Sequence, residues 1–144
     1  ALSVGGSARL RQRGRPNVQL QQHSHRSTGS EIRLLQQLGG GGLSECTLRI
    51  NQVSQAVRHR TVEEIWFVTQ GRGQVWLEED SVQTVVSISK GSSITIPLGT
   101  AFQFRNTGHE ELKIIISTMP PWPGDKEALT VDGKWQAGTV PREK

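Results

Sequence analysis

The sequence predicts an all-β protein, a sandwich or barrel of short strands, and three observations carry that expectation. Segments rich in Val, Ile, Phe and Trp, each about four to eight residues long, recur at short and even intervals with turn residues between them. Nowhere in that region do apolar residues keep helical spacing for more than a turn. Glycine is high at 16 of 144 residues while hydrophobic content is a modest 33%, a balance that suits a compact β-protein with many turns.

Taken in order, residues 1–30 are rich in Gly, Ser, Arg and Gln, show little periodicity and read as a polar N-terminal arm. Residues 31–37 form a short strand, and the glycine run at 39–42 then breaks the chain. From Leu43 the pattern alternates, with Ser44, Cys46, Leu48 and Ile50 on one face and Leu43, Glu45, Thr47 and Arg49 on the other. Residues 65–70 make a strand, Gly71-Arg72-Gly73 a turn, and residues 74–79 the hairpin partner. Strands over 83–89, 93–96, 101–105 and 111–118 complete the series. Three prolines within Pro120-Pro121-Trp122-Pro123 cannot continue a sheet ladder, so the last strand ends in a stiff, extended crossing. Residues 125–144 read as an irregular tail, packed through Trp122 and Trp135 on the outer wall or laid as a lid over the mouth of a barrel. There is no internal repeat. The expected organisation is an arm over 1–30, a barrel over 31–124 and a tail over 125–144.

A chain of this length makes one domain with a real core. The pI of 9.8 suggests nucleic acid until the charges are located. Five of the 17 basic residues (Arg9, Arg11, Arg13, Arg15 and Arg26) fall in the first 30 positions, where there is no acid, which leaves 12 against 13 acidic residues elsewhere. The body is near neutral, and no aromatic residue interleaves with the arm's arginines to stack on a base, so nucleic acid is not the expected partner. A single cysteine, Cys46, excludes an internal disulfide framework. No apolar run approaches the roughly 18–20 residues needed to span a bilayer, and residues 1–30 lack the apolar centre of a secretory signal, so the expectation is a cytoplasmic protein without a membrane partner.

Two gapped patterns stand out. The first runs Val57, Arg58, His59, four residues, Glu64, six residues, Gly71; the second runs Gly91, five residues, Pro97, Leu98, Gly99, two residues, Phe102, three residues, Asn106. Together they resemble the two motifs of the cupin superfamily, H-x-H-x(3,4)-E-x(6)-G and G-x(5)-P-x-G-x(2)-H-x(3)-N. Small single-domain bacterial cupins are the most similar, and the likeness extends over about residues 43–124. It implies a double-stranded β-helix, the jelly-roll barrel, with an N-terminal arm and a C-terminal tail. It also implies a metal site of three histidines and a glutamate aimed into the barrel. His59 and Glu64 match two of those positions, with Glu63 an alternative to Glu64, but Val57 and Phe102 occupy the other two. A catalytic zinc normally keeps three protein ligands, and non-heme iron takes two histidines and a carboxylate, so one histidine and one carboxylate form an incomplete set. The cofactor is therefore none, or a weakly held divalent metal such as Zn, Fe, Mn or Ni. His23 and His25 repeat the H-x-H spacing inside the arm, and His109 sits in a solvated turn.

In a strand, residues two apart share a face, so Glu64 and Trp66 point together, as do Phe102 and Phe104. Val57, His59, Glu64, Trp66, Phe102 and Phe104 are then expected to line one cavity. His59 is the expected partner of the buried Glu64 carboxylate, and because the superfamily that the chain resembles includes metal-free sugar epimerases, acid–base catalysis by that pair is an open alternative. Three readings follow: a cupin that binds a small molecule over a degenerate metal site; an enzyme, either a metal-dependent oxygenase or isomerase with few ligands or a metal-free epimerase or isomerase; and an interaction protein with a filled barrel. Cys46 reads as a buried apolar residue. Apolar Ile65 and Phe67 on an outer face, with the small-cupin resemblance, point to a homodimer.

Overall fold

The computed structural model describes residues 24–27 and 30–141. Most of the predicted arm, including His23, lies outside these residues. Thirteen strands are formed among the described residues: β1 Ser24–Ser27, β2 Ser30–Leu38, β3 Gly41–Leu48, β4 Gln52–Val53, β5 Val57–His59, β6 Glu63–Gln70, β7 Arg72–Glu79, β8 Val82–Ser89, β9 Ser93–Ile96, β10 Ala101–Asn106, β11 Leu112–Met119, β12 Ala128–Thr130 and β13 Gly138–Thr139. All pairings are antiparallel. One sheet runs β1-β2-β3-β11-β6-β9; in the other, β10 pairs with β4 and β5 on one edge and with β7 on the other, and β8, β12 and β13 extend it. This is the all-β jelly roll of the prediction.

The sheets bury their facing sides against each other. Trp66, Val68, Cys46, Leu48 and Ile114 from the first meet Val75, Phe102 and Phe104 from the second in one apolar cluster. Alternation puts them there: along β6 Glu64, Trp66 and Val68 are buried, while Glu63, Ile65 and Phe67 are exposed. Removing a large aromatic side chain from water contributes roughly 2–3 kcal/mol, so Trp66, Phe102 and Phe104 anchor the barrel.

Three expectations are corrected. Residues 65–70 and 74–79 are not a hairpin: β6 pairs with β11 and β9, whereas β7 pairs with β8 and β10. The turn between them carries the chain from one sheet to the other. Gly71 has φ +81 and lies where a Cβ would stand 2.8 Å from the Glu111 carbonyl, and a side chain at Gly73 would run into the Arg105 carbonyl. The actual hairpin is β7–β8, closed by Asp80 and Ser81, both at positive φ (49 and 65), as a right-twisted two-residue turn requires. Second, part of the arm joins the first sheet, since β1 pairs with β2. Third, the tail, irregular over most of its length as expected, carries two short strands, with β12 paired to β5 and β13 to β4.

The tail explains why β10 is buried on both faces. Phe102 and Phe104 point into the barrel, while Gln103 on the outer side is 1% exposed. Its amide nitrogen donates to the Ser54 and Trp135 carbonyls at 2.9 and 2.7 Å, and its oxygen accepts from the Trp135 amide at 2.9 Å. Trp135 packs on the outer wall, with the Arg105 guanidinium 4.3 Å from its ring centre. Trp122 turns the other way, into the barrel.

Candidate functional site: an aromatic pocket with one acid and one histidine

A cavity of about 600 Å³ opens between the sheets. Each strand contributes by alternation. β5 directs Val57 and His59 inward, β6 Glu64 and Trp66, β10 Phe102 and Phe104, and β11 Ile116; β2 adds Ile32 and Leu34. The six residues expected from the sequence to share a cavity do share it. Glu63, the alternative to Glu64, is exposed on the opposite face of β6.

The sequence left residues after Thr118 open between outer-wall packing and a lid over the mouth, and both occur: Trp135 packs outside, while residues 120–127 form a strap. It crosses the mouth and presents Trp122, whose ring lies 5.2 Å from the His59 ring, nearly edge to face. Glu127 fastens it. One carboxylate oxygen accepts from the Thr61 and Val62 amides at 2.6 and 2.8 Å, and the other accepts from the Thr61 hydroxyl at 2.8 Å. Burial alone would push this carboxyl up, but these hydrogen bonds, with help from His59, hold it below the ordinary carboxylate value. The sequence did not single out Glu127, which falls in the stretch expected to be an irregular tail. The available signal was Trp122, a large aromatic inside a stiff proline segment directly after the last barrel strand.

His59 and Glu64 are both buried, at 7% and 5% exposure. Their contact differs from the one expected. His59 Nδ1 and Glu64 Oε1 are 3.8 Å apart, too far for a hydrogen bond. The Trp66 indole N–H donates to Glu64 Oε1 instead, at 3.1 Å, because residues two apart on a strand share a face. Among the described residues Nδ1 of His59 has no hydrogen-bond partner, so the acid does not fix its tautomer. The His59 ring is bracketed by Phe102 at 5.1 Å and Trp122, while Trp66 stands edge to face with Phe102 and Phe104 at 5.2 Å each. Burial lowers the His59 pKa, opposed in part by the Glu127 charge. Burial raises Glu64 to about 7, opposed by the Trp66 hydrogen bond and assisted by Glu127. Cys46 lines the cavity wall fully buried; burial, with the Glu64 and Glu45 charges, pushes its thiol far up, so it is not a nucleophile at neutral pH. His109 is exposed, as expected. Asn106, the last residue of the second motif, is structural: its amide donates to the Leu48 and Glu110 carbonyls and its oxygen accepts from Gly108.

The donor set does not fit a resident metal. At the four positions that the resemblance assigns to ligands, only His59 and Glu64 offer a donor atom, and one oxygen of Glu64 is already engaged by Trp66. Val57 and Phe102 are direct cross-strand partners in the β5–β10 pair, so the two apolar replacements abut. Among the described residues no group of three or more His, Cys, Asp or Glu could hold a metal ion.

Comparison with known proteins agrees with this geometry. The model of the cupin domain family matches residues 44–118, half of the chain, and the chain belongs to that family. An uncharacterised protein of Methanocaldococcus jannaschii is 30% identical over 80 residues, which is 56% of this chain; the chain spans 61% of that relative's length. Among solved structures, oxalate decarboxylase of Lactobacillus farciminis in complex with formate superposes with a TM-score of 0.69 at 14% identity, over 76% of this chain and 33% of that one. A protein from Bacillus halodurans gives 0.60 at 23% identity, over 65% of this chain and 72% of its own. PAC13 of Streptomyces, solved with uridine, gives 0.62 at 12% identity over 77% and 85%. At these identities the structural likeness is one of fold.

Proposed function

We propose that this cupin binds a small organic molecule in its barrel without a resident metal. The observation that carries the reading is the cavity itself. Its volume of about 600 Å³ falls in the range of roughly 300–1,000 Å³ typical of ligand pockets. Its aromatic and aliphatic wall carries His59 and Glu64, and polar residues such as Ser44, Gln55, Thr118 and Thr130 complete the lining. A filled barrel serving only as an interaction scaffold would have had Phe102 and Trp66 close over His59; here both line an open space with it. Recovery of small molecules from the purified chain by native mass spectrometry tests the reading. A bound species is expected with the native chain and is lost when Ile116→Trp fills the cavity. Equal recovery from both proteins would sink it. Elemental analysis beside His59→Ala and Glu64→Ala tests the metal-free part: a stoichiometric transition metal lost in both variants would overturn it.

One observation favours a second reading, acid–base catalysis. His59 and Glu64 face the same cavity with ring nitrogen and carboxylate 3.8 Å apart, close enough to act on one substrate, and burial drives their proton affinities in opposite directions. Epimerisation or isomerisation next to a carbonyl needs such a pair. Exchange of a substrate C–H proton with solvent deuterium, abolished by His59→Asn and by Glu64→Gln alike, is the expected signature.

The single buried Cys46 suits a reducing compartment, and the cytoplasm is the proposed location. No helix among the described residues is long and apolar enough to cross a membrane. The proposed assembly is a homodimer through the outer face of β6, where Phe67 is 49% exposed beside Ile65.

A further inference from the structure

Glu64 is a buried carboxylate that meets no lysine or arginine among the described residues. Among the described residues its only hydrogen bond comes from Trp66, and its nearest basic group is the unpartnered Nδ1 of His59. The described lining contains no lysine or arginine; its charged members are Glu64 and, at the rim, the exposed Asp125. An anionic ligand would therefore enter a space with no counter-charge, against the field of Glu64 and of Glu127 behind His59. The rings of His59, Trp66, Phe102 and Trp122 line the same cavity as the carboxylate in edge-to-face contacts with one another, and aromatic ring faces carry negative charge density that attracts cations.

We propose that the pocket selects an organic cation: a small apolar body bearing a protonated amine, with its ammonium group among Glu64, His59 Nδ1 and the rings of Trp66, Phe102 and Trp122. This rests on the reading of the cavity as a ligand site and adds the charge of the ligand. The parts have separate tasks. Glu64 supplies the counter-ion, and Trp66, by occupying Oε1, orients that carboxylate toward the cavity. Neutral His59 offers Nδ1 as an acceptor for one ammonium N–H. Phe102, Trp122 and Trp66 strip water from the ammonium and replace it with ring faces. The apolar body lies along Ile116. Carboxylates and phosphates are rejected because nothing on the described wall can neutralise them.

Three probes of one size and one apolar body test the inference on the full chain: benzylammonium, benzyl alcohol and benzoate. Their affinities are read by NMR titration of the indole N–H signals, assigned to Trp66 and Trp122 by substitution. The ammonium is expected to bind at least tenfold tighter than the alcohol, and benzoate weakest. In Glu64→Gln, with folding checked by its thermal transition, the ratio of ammonium to alcohol affinity should fall by at least tenfold. An alcohol that binds as tightly as the ammonium, or a benzoate that binds more tightly, overturns the preference for a cation while leaving the pocket reading intact. Failure of all three probes to move either indole signal overturns both.

Discussion

Burial raises Glu64 from its ordinary 4.5 to about 7, so between those values the folded chain keeps a proton that the unfolded chain has released. Stability must then fall as pH rises across that window and level off above it, by about 3 kcal/mol for this group alone. His59 acts in the opposite sense. Its folded pKa lies below the ordinary 6.5, so the unfolded chain takes up the proton first, and stability is lost as pH falls below 6.5. Denaturant unfolding of Glu64→Gln against pH should lose the decline toward pH 7, while His59→Asn should lose part of the acid-side decline. Because the two trends oppose each other below pH 6.5, the difference between the profiles is what decides: a Glu64→Gln profile parallel to the native one from pH 4.5 to 7 would refute the assignment to Glu64. Phe102→Ala, which removes a ring from the packed side of the pocket, should cost about 3–5 kcal/mol in the same assay. At this scale the sequence was legible where side-chain direction follows from strand alternation, which grouped Glu64 with Trp66 and Phe102 with Phe104, while Val57 and His59 came from the motif resemblance. The bond from Trp66 to Glu64 was not legible, because alternation says which residues share a face but not which donor reaches the carboxylate first.

Between β5 and β10 the pairing of Val57 with Phe102 makes the metal question one of two adjacent side chains. Val57 shares the inward face of β5 with His59, so Val57→His would place a third donor beside His59 and Glu64, the minimum set for zinc or non-heme iron. Zinc titration should then reach one equivalent in Val57→His and stay well below it in the native chain and in Val57→Ala. The strap gives a second test. Three hydrogen bonds tie Glu127 to Thr61 and Val62, and Glu127→Ala removes the acceptor of all three, leaving the buried Val62 amide unpaired while the exposed Thr61 donors turn to water, at a cost of about 1–3 kcal/mol. Amide exchange should accelerate in residues 120–130 before it does in β6 or β11; uniform acceleration would mean that the strap and barrel open as one unit. Strand positions over 43–118 were legible because apolar alternation and turn residues are local signals. The destination of β7 was not, since the same Gly71-Arg72-Gly73 that suits a hairpin also suits a crossing between sheets. Only the crowding by Glu111 and Arg105 decides it.

For the whole molecule, the predicted jelly roll stands, and the family match covers the barrel alone. Assembly is open to direct measurement. If the outer face of β6 is a dimer contact, Phe67→Glu should shift the native mass by light scattering from dimer toward monomer while leaving the melting temperature of the monomer unit near native. Deleting residues 1–23 asks separately whether the arm contributes; an unchanged mass would confine the contact to the barrel.

The family-matched segment ends at residue 118 and begins at residue 44, yet Ile32 and Leu34 come before it and Trp122 and Glu127 after it. The family-matched barrel and the residues that complete its mouth therefore lie on different stretches of chain. Two proteins can keep every strand of the shared segment, remain recognisable kin, and part ways in diet through their ends alone. A chimaera that swaps residues 30–38 and 120–130 between such kin would exchange the guest and keep the house.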